Sequence, residues 1–301
     1  MNVMMSKLFL LLIFLSCSDN HKNIEEIEKG VELDFTSTLP FNFKIPDETI
    51  VLDRELTEVS GLAYDAQSNT FLCHNDEQSK VYYLDKYLQP INSRKWGRKG
   101  DFEAIEIREN IIYFLKSNGT LYLHNQTTQE VEILKTPLKN IQESEGLCFD
   151  YQSNNTLLIA CKGNPLKSKD QKNTKCIYSY DINKQSLNDE PKLTISIDTL
   201  VEFKEKKLKK KLSSKQNSKL KKFAPSAIAV DPFSGDYYIA SARGSLLIIY
   251  DKQQLKDVIF LNATTIPQPE GLTFDEAGNL YIATEGQRSS GKIFKFLRRL
   301  Q

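Results

Sequence analysis

The chain has 301 residues, 40% of them hydrophobic and 10% aromatic, which is enough for one large domain or two ordinary ones and excludes general disorder. Its formal net charge of +1 provides no whole-chain field to attract nucleic acid or an anionic membrane. No nucleic-acid partner is expected, and any charge argument has to be local.

The first segment in chain order is not part of a fold. Lys7 precedes an unbroken apolar run from Leu8 to Leu15, followed by Ser16 and Cys17. A hydrocarbon core takes about 20 residues of helix, so this run is too short for a permanent span. A lysine, a short apolar core and a small residue make an export signal, residues 1–16. The stretch Phe14-Leu15-Ser16-Cys17 resembles the lipobox of bacterial lipoproteins, with Phe14 where that motif prefers an aliphatic residue. The resemblance implies that Cys17 is lipidated and anchors the chain to a membrane of the bacterial envelope, facing the periplasm or the cell surface. An ordinary secretory signal is the alternative. Residues 17–43 are polar with few apolar anchors and read as a tether, leaving 44–298 for the folded domain.

Five segments of that domain align on a shared apolar position. They are EVSGLAYDAQSNTFLCHND from Glu58, DFEAIEIRENIIYFLKSNG from Asp101, ESEGLCFDYQSNNTLLIACKG from Glu143, APSAIAVDPFSGDYYIASARG from Ala224 and QPEGLTFDEAGNLYIATEG from Gln268. Each contains a short strand, a turn and a second strand. In four of them an Asp leads the turn (Asp65, Asp150, Asp231, Asp275), where its side chain can bond its own backbone. A third strand follows each pair: KVYYLD, GTLYLH, KCIYSYD, SLLIIYD and GKIFKF. The residues before the shared Gly or Ala are Ser60, Glu103, Glu145, Ser226 and Glu270, separated by 43, 42, 81 and 44 positions. A period near 43 with about four strands per unit predicts an all-β fold, a five-bladed β-propeller. The 81-residue gap leaves six blades as the alternative. An insertion is preferred, because Leu200–Lys222 lacks a strand pattern. Outermost strands are expected at Val131–Leu134 and Leu193–Ile197. Thr49–Leu52 is expected to complete the last blade beside Lys292–Phe296 and close the ring.

The openings EVSGLAYD, SEGLCFD, PSAIAVD and QPEGLTFD, with NLYIATEG, resemble the SdiA-regulated (YjiK-like) family of bacterial envelope proteins. The resemblance covers about Lys44 to Phe296. It implies a five-bladed propeller with a calcium site, distantly similar to NHL-repeat propellers, and it supplies no biochemical activity.

In a propeller the first strand of every blade lines the axial channel, so equivalent positions form a ring. Glu103, Glu145 and Glu270 are thereby expected at one mouth. Two residues earlier stand Glu58, Asp101, Glu143, Ala224 and Gln268, predicted to point the same way. Crowded carboxylates raise one another's pKa or demand a counter-cation. Oxygen-only donors, with the Ser60 and Ser226 hydroxyls, suit Ca2+. Glu58, Glu103, Glu145 and Glu270 are the candidate metal ligands; structural ties between blades are the competing role.

Catalysis has less to stand on. His74 and Asp76 end a second strand where loops reach the channel mouth, and Lys162 and Glu285 hold related positions. A Ca2+-dependent hydrolase of phosphoesters or lactones could use His74 or Glu285 as base. The plainer expectation makes His74 and Asp76 turn or surface residues, and the domain a module that binds a protein or small-molecule ligand at its channel face. Cys161 and Cys176 flank a hairpin loop and could face each other, where export would permit a disulfide. Lys204–Lys222 holds ten lysines and reads as a solvated loop.

Overall fold

In a computed structural model the chain is described over residues 39–299, apart from 76, 77, 152, 154, 168–172 and 287–288. The export signal, Cys17, most of the tether and Asp76 lie outside the described residues.

Among the described residues, the strands gather into five antiparallel sheets. The first strand, β1 (Glu48–Val51), belongs to the last sheet. Blade 1 is β2 (Val59–Asp65), β3 (Thr70–Asn75), β4 (Lys80–Leu84) and β5 (Pro90–Lys95). Blade 2 is β6 (Phe102–Arg108), β7 (Ile111–Lys116), β8 (Leu121–Asn125) and β9 (Val131–Leu134). Blade 3 is β10 (Ser144–Phe149), β11 (Thr156–Cys161) and β12 (Thr174–Asp181), with β13 (Ser186–Leu187) and β14 (Leu193–Ser196) both paired to β12. Blade 4 is β15 (Ala227–Val230), β16 (Tyr237–Ser241), β17 (Leu246–Asp251) and β18 (Gln254–Phe260). Blade 5 is β19 (Pro269–Phe274), β20 (Leu280–Thr284) and β21 (Lys292–Phe296).

The blade 5 sheet is completed by β1, which runs antiparallel to β21 with Glu48 opposite Lys295 and Val51 opposite Lys292. An edge that would otherwise stay unpaired is covered, and the ring closes. The innermost strands β2, β6, β10, β15 and β19 each neighbour the next, and β19 returns to β2. Five blades, not six, make the propeller.

Local chemistry explains the hairpins. Asp275 Oδ1 accepts from the Asn279 amide at 2.8 Å, Asp231 Oδ1 from the Phe233 amide at 2.9 Å and Asp65 Oδ1 from the Gln67 amide at 3.0 Å. Each turn is thus held by its leading carboxylate. The core is divided among the clefts between blades. Ile177, Ile195, Ile228, Ile239 and Ile248 fill the cleft between blades 3 and 4, and Phe71, Leu84, Tyr281 and Ile293 that between blades 5 and 1.

Two expectations are corrected. The Lys-rich insertion is a helical hairpin, not a solvated loop: α1 (Ile197–Leu208) and α2 (Ser214–Lys221). Ser196 Oγ caps α1 by accepting from the Thr199 amide, and Ser213 with Gln216 forms a capping box at α2. Leu200, Leu220 and the following Phe223 are buried in the cleft between blades 3 and 4. Such helices need only one apolar stripe, so a few well-spaced apolar residues suffice among many lysines. The end of the expected tether also belongs to the fold. Phe41 is buried, with its ring against Tyr238 and Phe274, and Phe43 meets Phe296.

Candidate functional site

The residue before the shared Gly or Ala has a specific backbone role. In β2, Val59 is opposite Asn75 and Gly61 opposite His74, so Ser60 is an extra residue with no partner. The same irregularity isolates Glu103 in β6, Glu145 in β10 and Glu270 in β19. Each is a β-bulge, which breaks the alternation of side chains and re-aims one of them. The residue that follows is small, glycine in β2, β10 and β19 and alanine in β6, and where it is glycine it permits close approach of the next blade. A Cβ on Gly271 would stand 2.9 Å from the Leu62 amide nitrogen, and one on Gly146 would stand 3.0 Å from that of Ile228. A repeated Ser or Glu followed by Gly or Ala therefore aims a side chain at the axis and lets the ring tighten around it.

Glu145 and Glu270 line a narrow opening among the innermost strands, together with Gly61, Ala104, Ala227 and Gly271. Burial and the charge of Glu145 and Asp101 push the Glu103 carboxyl up to about 8. Burial, then Glu285 and Glu145, hold Glu270 well above the ordinary carboxylate range. Lys162, just past the end of β11, donates from Nζ to Glu145 Oε1 at 2.7 Å. Burial still outweighs that ammonium and raises Glu145. On the lysine burial works downward, but the bond to Glu145 and the charges of Glu145, Glu270 and Glu103 win and raise it. One ammonium thus serves three carboxyls, a ratio that favours keeping some of them protonated.

Around this centre, Asp101 shares a hydrogen bond with Glu103 and accepts one from the Ser117 hydroxyl. Gln268 Nε2 donates to Glu285 Oε2 at 2.9 Å. Glu58, Asp101 and Glu143 are exposed at the rim, because the bulge interrupts the alternation that would have turned them inward. Sequence reasoning missed Lys175, whose Nζ donates to the Lys162 carbonyl at 2.5 Å. It also missed Glu106, a buried carboxyl pushed up to about 7 by burial, whose Oε1 accepts from the Ile107 amide at 2.8 Å. The signal was present: Glu106 shares its repeat position with Ala63, Cys148, Ala229 and Thr273, small residues in every other blade.

His74 is not a surface residue. It is buried between blades 1 and 2, its ring edge-on to Phe114, with Nδ1 donating to the Asn75 carbonyl at 2.9 Å. Burial lowers its pKa to about 4, so it is neutral and no base for a solvent-borne substrate. Cys161 and Cys176 do stand opposite each other across β11 and β12, and both are free thiols.

The family resemblance implies calcium at this mouth. The oxygen donors suit it, but the shell does not assemble. Ser226 Oγ donates to the Pro269 carbonyl at 2.5 Å and accepts from the Ala242 amide at 3.0 Å, tying blade 4 to blade 5. Ser60 Oγ donates to the Glu58 carbonyl at 3.4 Å. Among the described residues no three His, Cys, Asp or Glu side chains are grouped to hold a metal ion. Among the described residues, the cation bonded to these carboxyls is the Lys162 ammonium.

Comparison with known proteins agrees with the architecture. The family model described as SdiA-regulated matches residues 37–288. No curated protein matches the chain. Among solved structures, a protein assigned to the gluconolactonases is similar with a TM-score of 0.51 at 10% identity, over 82% of this chain and 81% of that one. A luciferin-regenerating enzyme gives 0.50 at 13% identity, over 83% and 95%. A gluconolactonase from Xanthomonas campestris gives 0.48 at 9% identity, over 83% and 79%. At such identities the likeness is one of fold.

Proposed function

The chain belongs to the SdiA-regulated family, and on that premise we propose that it is a binding propeller which captures a cationic group at its glutamate mouth. One observation carries the reading: Glu103, Glu145 and Glu270 share a half-buried space with the ammonium of Lys162, which among the described residues is the cation acting on all three. A second cation, on an amine-bearing ligand or a metal, would let Glu103 and Glu270 ionise. Binding then releases protons, and the Glu103 contribution makes affinity rise with pH and level off above about 8. The test is calorimetric titration with alkylammonium and with Ca2+ in two buffers of different ionisation heat. Uptake with proton release, lost in Glu270→Gln, supports the proposal; no binding of either probe from pH 6 to 9 overturns it.

Calcium is the second reading, favoured by the excess of carboxyls over ammonium. The ion would have to displace Lys162 from Glu145. A melting temperature that rises with Ca2+ and falls with chelator supports it, and an unchanged one counts against it.

The alternative activity is hydrolysis of a lactone or phosphoester, with the protonated Glu103 as the acid group. Turnover of such substrates that disappears in both Glu103→Gln and Glu270→Gln would replace binding as the function.

The proposal includes attachment to the bacterial envelope through lipid on Cys17. Metabolic labelling with a fatty-acid analogue tests it: label expected on the parent and absent from Cys17→Ser, with an unlabelled parent contradicting the anchor.

A further inference from the structure

We propose that the basic hairpin α1–α2 is a docking surface for anionic phospholipid headgroups. Residues 204–222 hold ten lysines and one acidic residue, Glu205. Some of that charge is used internally. Lys204 and Lys207 pair with Asp257 of β18 at 3.7 and 2.7 Å, and Lys211 with Glu205 at 2.7 Å. Lys206, Lys209, Lys210, Lys215, Lys221 and Lys222 are exposed, and no described residue pairs with their ammonium groups. Leu208 stands partly exposed among them, 37% accessible at the end of α1. Cations flanking an exposed apolar side chain fit the boundary between headgroups and acyl chains, and a soluble polyanion would have no use for the leucine.

The register fixes where this surface lies. The helix α1 starts beside the mouth, the Ile197 amide donating to the Asn173 carbonyl next to Thr174. It then passes Asp257 in the middle of β18, and α2 returns so that Lys219 packs against Gly244 in the loop before β17. The tip, near residues 208–214, therefore begins beside the middle of β18, and the second helix carries Lys221 and Lys222 back toward the mouth end of blade 4.

The experiment uses the full chain carrying Cys17→Ser, so no acyl chain contributes, and co-sedimentation with vesicles. Vesicles of phosphatidylglycerol and phosphatidylethanolamine are compared with phosphatidylcholine alone, at low and high salt. Binding at least about tenfold tighter to the anionic vesicles, and lost at high salt, is expected. The triple variant Lys206→Gln, Lys209→Gln, Lys210→Gln lowers it roughly a hundredfold, at about fivefold per lysine. Leu208→Ser weakens binding without changing the salt slope. A triple variant that binds like its parent overturns the proposal. So does equal binding to neutral vesicles, or capture of polyphosphate with no binding to vesicles. None of these outcomes depends on lipidation or on the channel ligand.

Discussion

Lys162 and the three glutamates act as one electrostatic unit, because the state of each decides the state of the others. For Glu103 the folded value is near 8 against an ordinary 4.5, so the unfolded chain releases its proton first. Its contribution to stability is complete below about pH 4.5, falls as pH rises, and is gone above about 8. Denaturant unfolding between pH 5 and 9 should show stability declining, and Glu103→Gln should flatten the decline by an amount on the order of a few kcal/mol. A slope identical in the variant would show that Glu103 is not held protonated. At the same scale, Lys162→Met leaves Glu145 without its partner and should cost about 2 kcal/mol, less than a fully buried pair because the lysine is part-exposed. Adding Glu145→Gln should recover much of that loss. A double variant as unstable as the sum of the singles would dissolve the pair as a unit.

At the scale of the element, the bulge and the glycine after it form one device. The bulge supplies the side chain at the axis, and the glycine supplies contact with the next blade. Gly271→Val would press against the Leu62 backbone, which cannot swing aside. It should cost about 1–3 kcal/mol in denaturant unfolding while leaving the glutamate chemistry in place. A neutral result would remove the close-packing role. This part of the fold was legible in the sequence because a period near 43 repeats a Ser or Glu followed by Gly or Ala. The outcome at Glu58, Asp101 and Glu143 was not, since a bulge resets the face that a strand presents without leaving a residue type to mark it. The helices were hidden for another reason: Leu200 and Leu220 are sparse anchors, and their burial depends on a cleft made by two distant blades.

At the scale of the molecule, closure by β1 joins residues nearly a full chain apart, so the ring should unfold as one unit. Ile50→Pro, opposite Ile293 in the ladder, should lower the melting temperature and broaden unfolding as blade 5 loses its outer strand. An unchanged, single sharp transition would contradict closure through β1. The candidate site was legible as a ring and not as a balance of charge. Glu103, Glu145 and Glu270 were found by position, whereas Lys162 as their counter-ion follows only from where the end of β11 places it. That balance is the central claim, and carboxyl 13C NMR titration reads it directly, with Glu103→Gln, Glu145→Gln and Glu270→Gln giving the assignments. The account predicts all three titrating above the ordinary range, Glu103 near 8, with the remaining two shifting when any one is replaced. Three independent titrations near 4.5, unmoved by the substitutions, would contradict it.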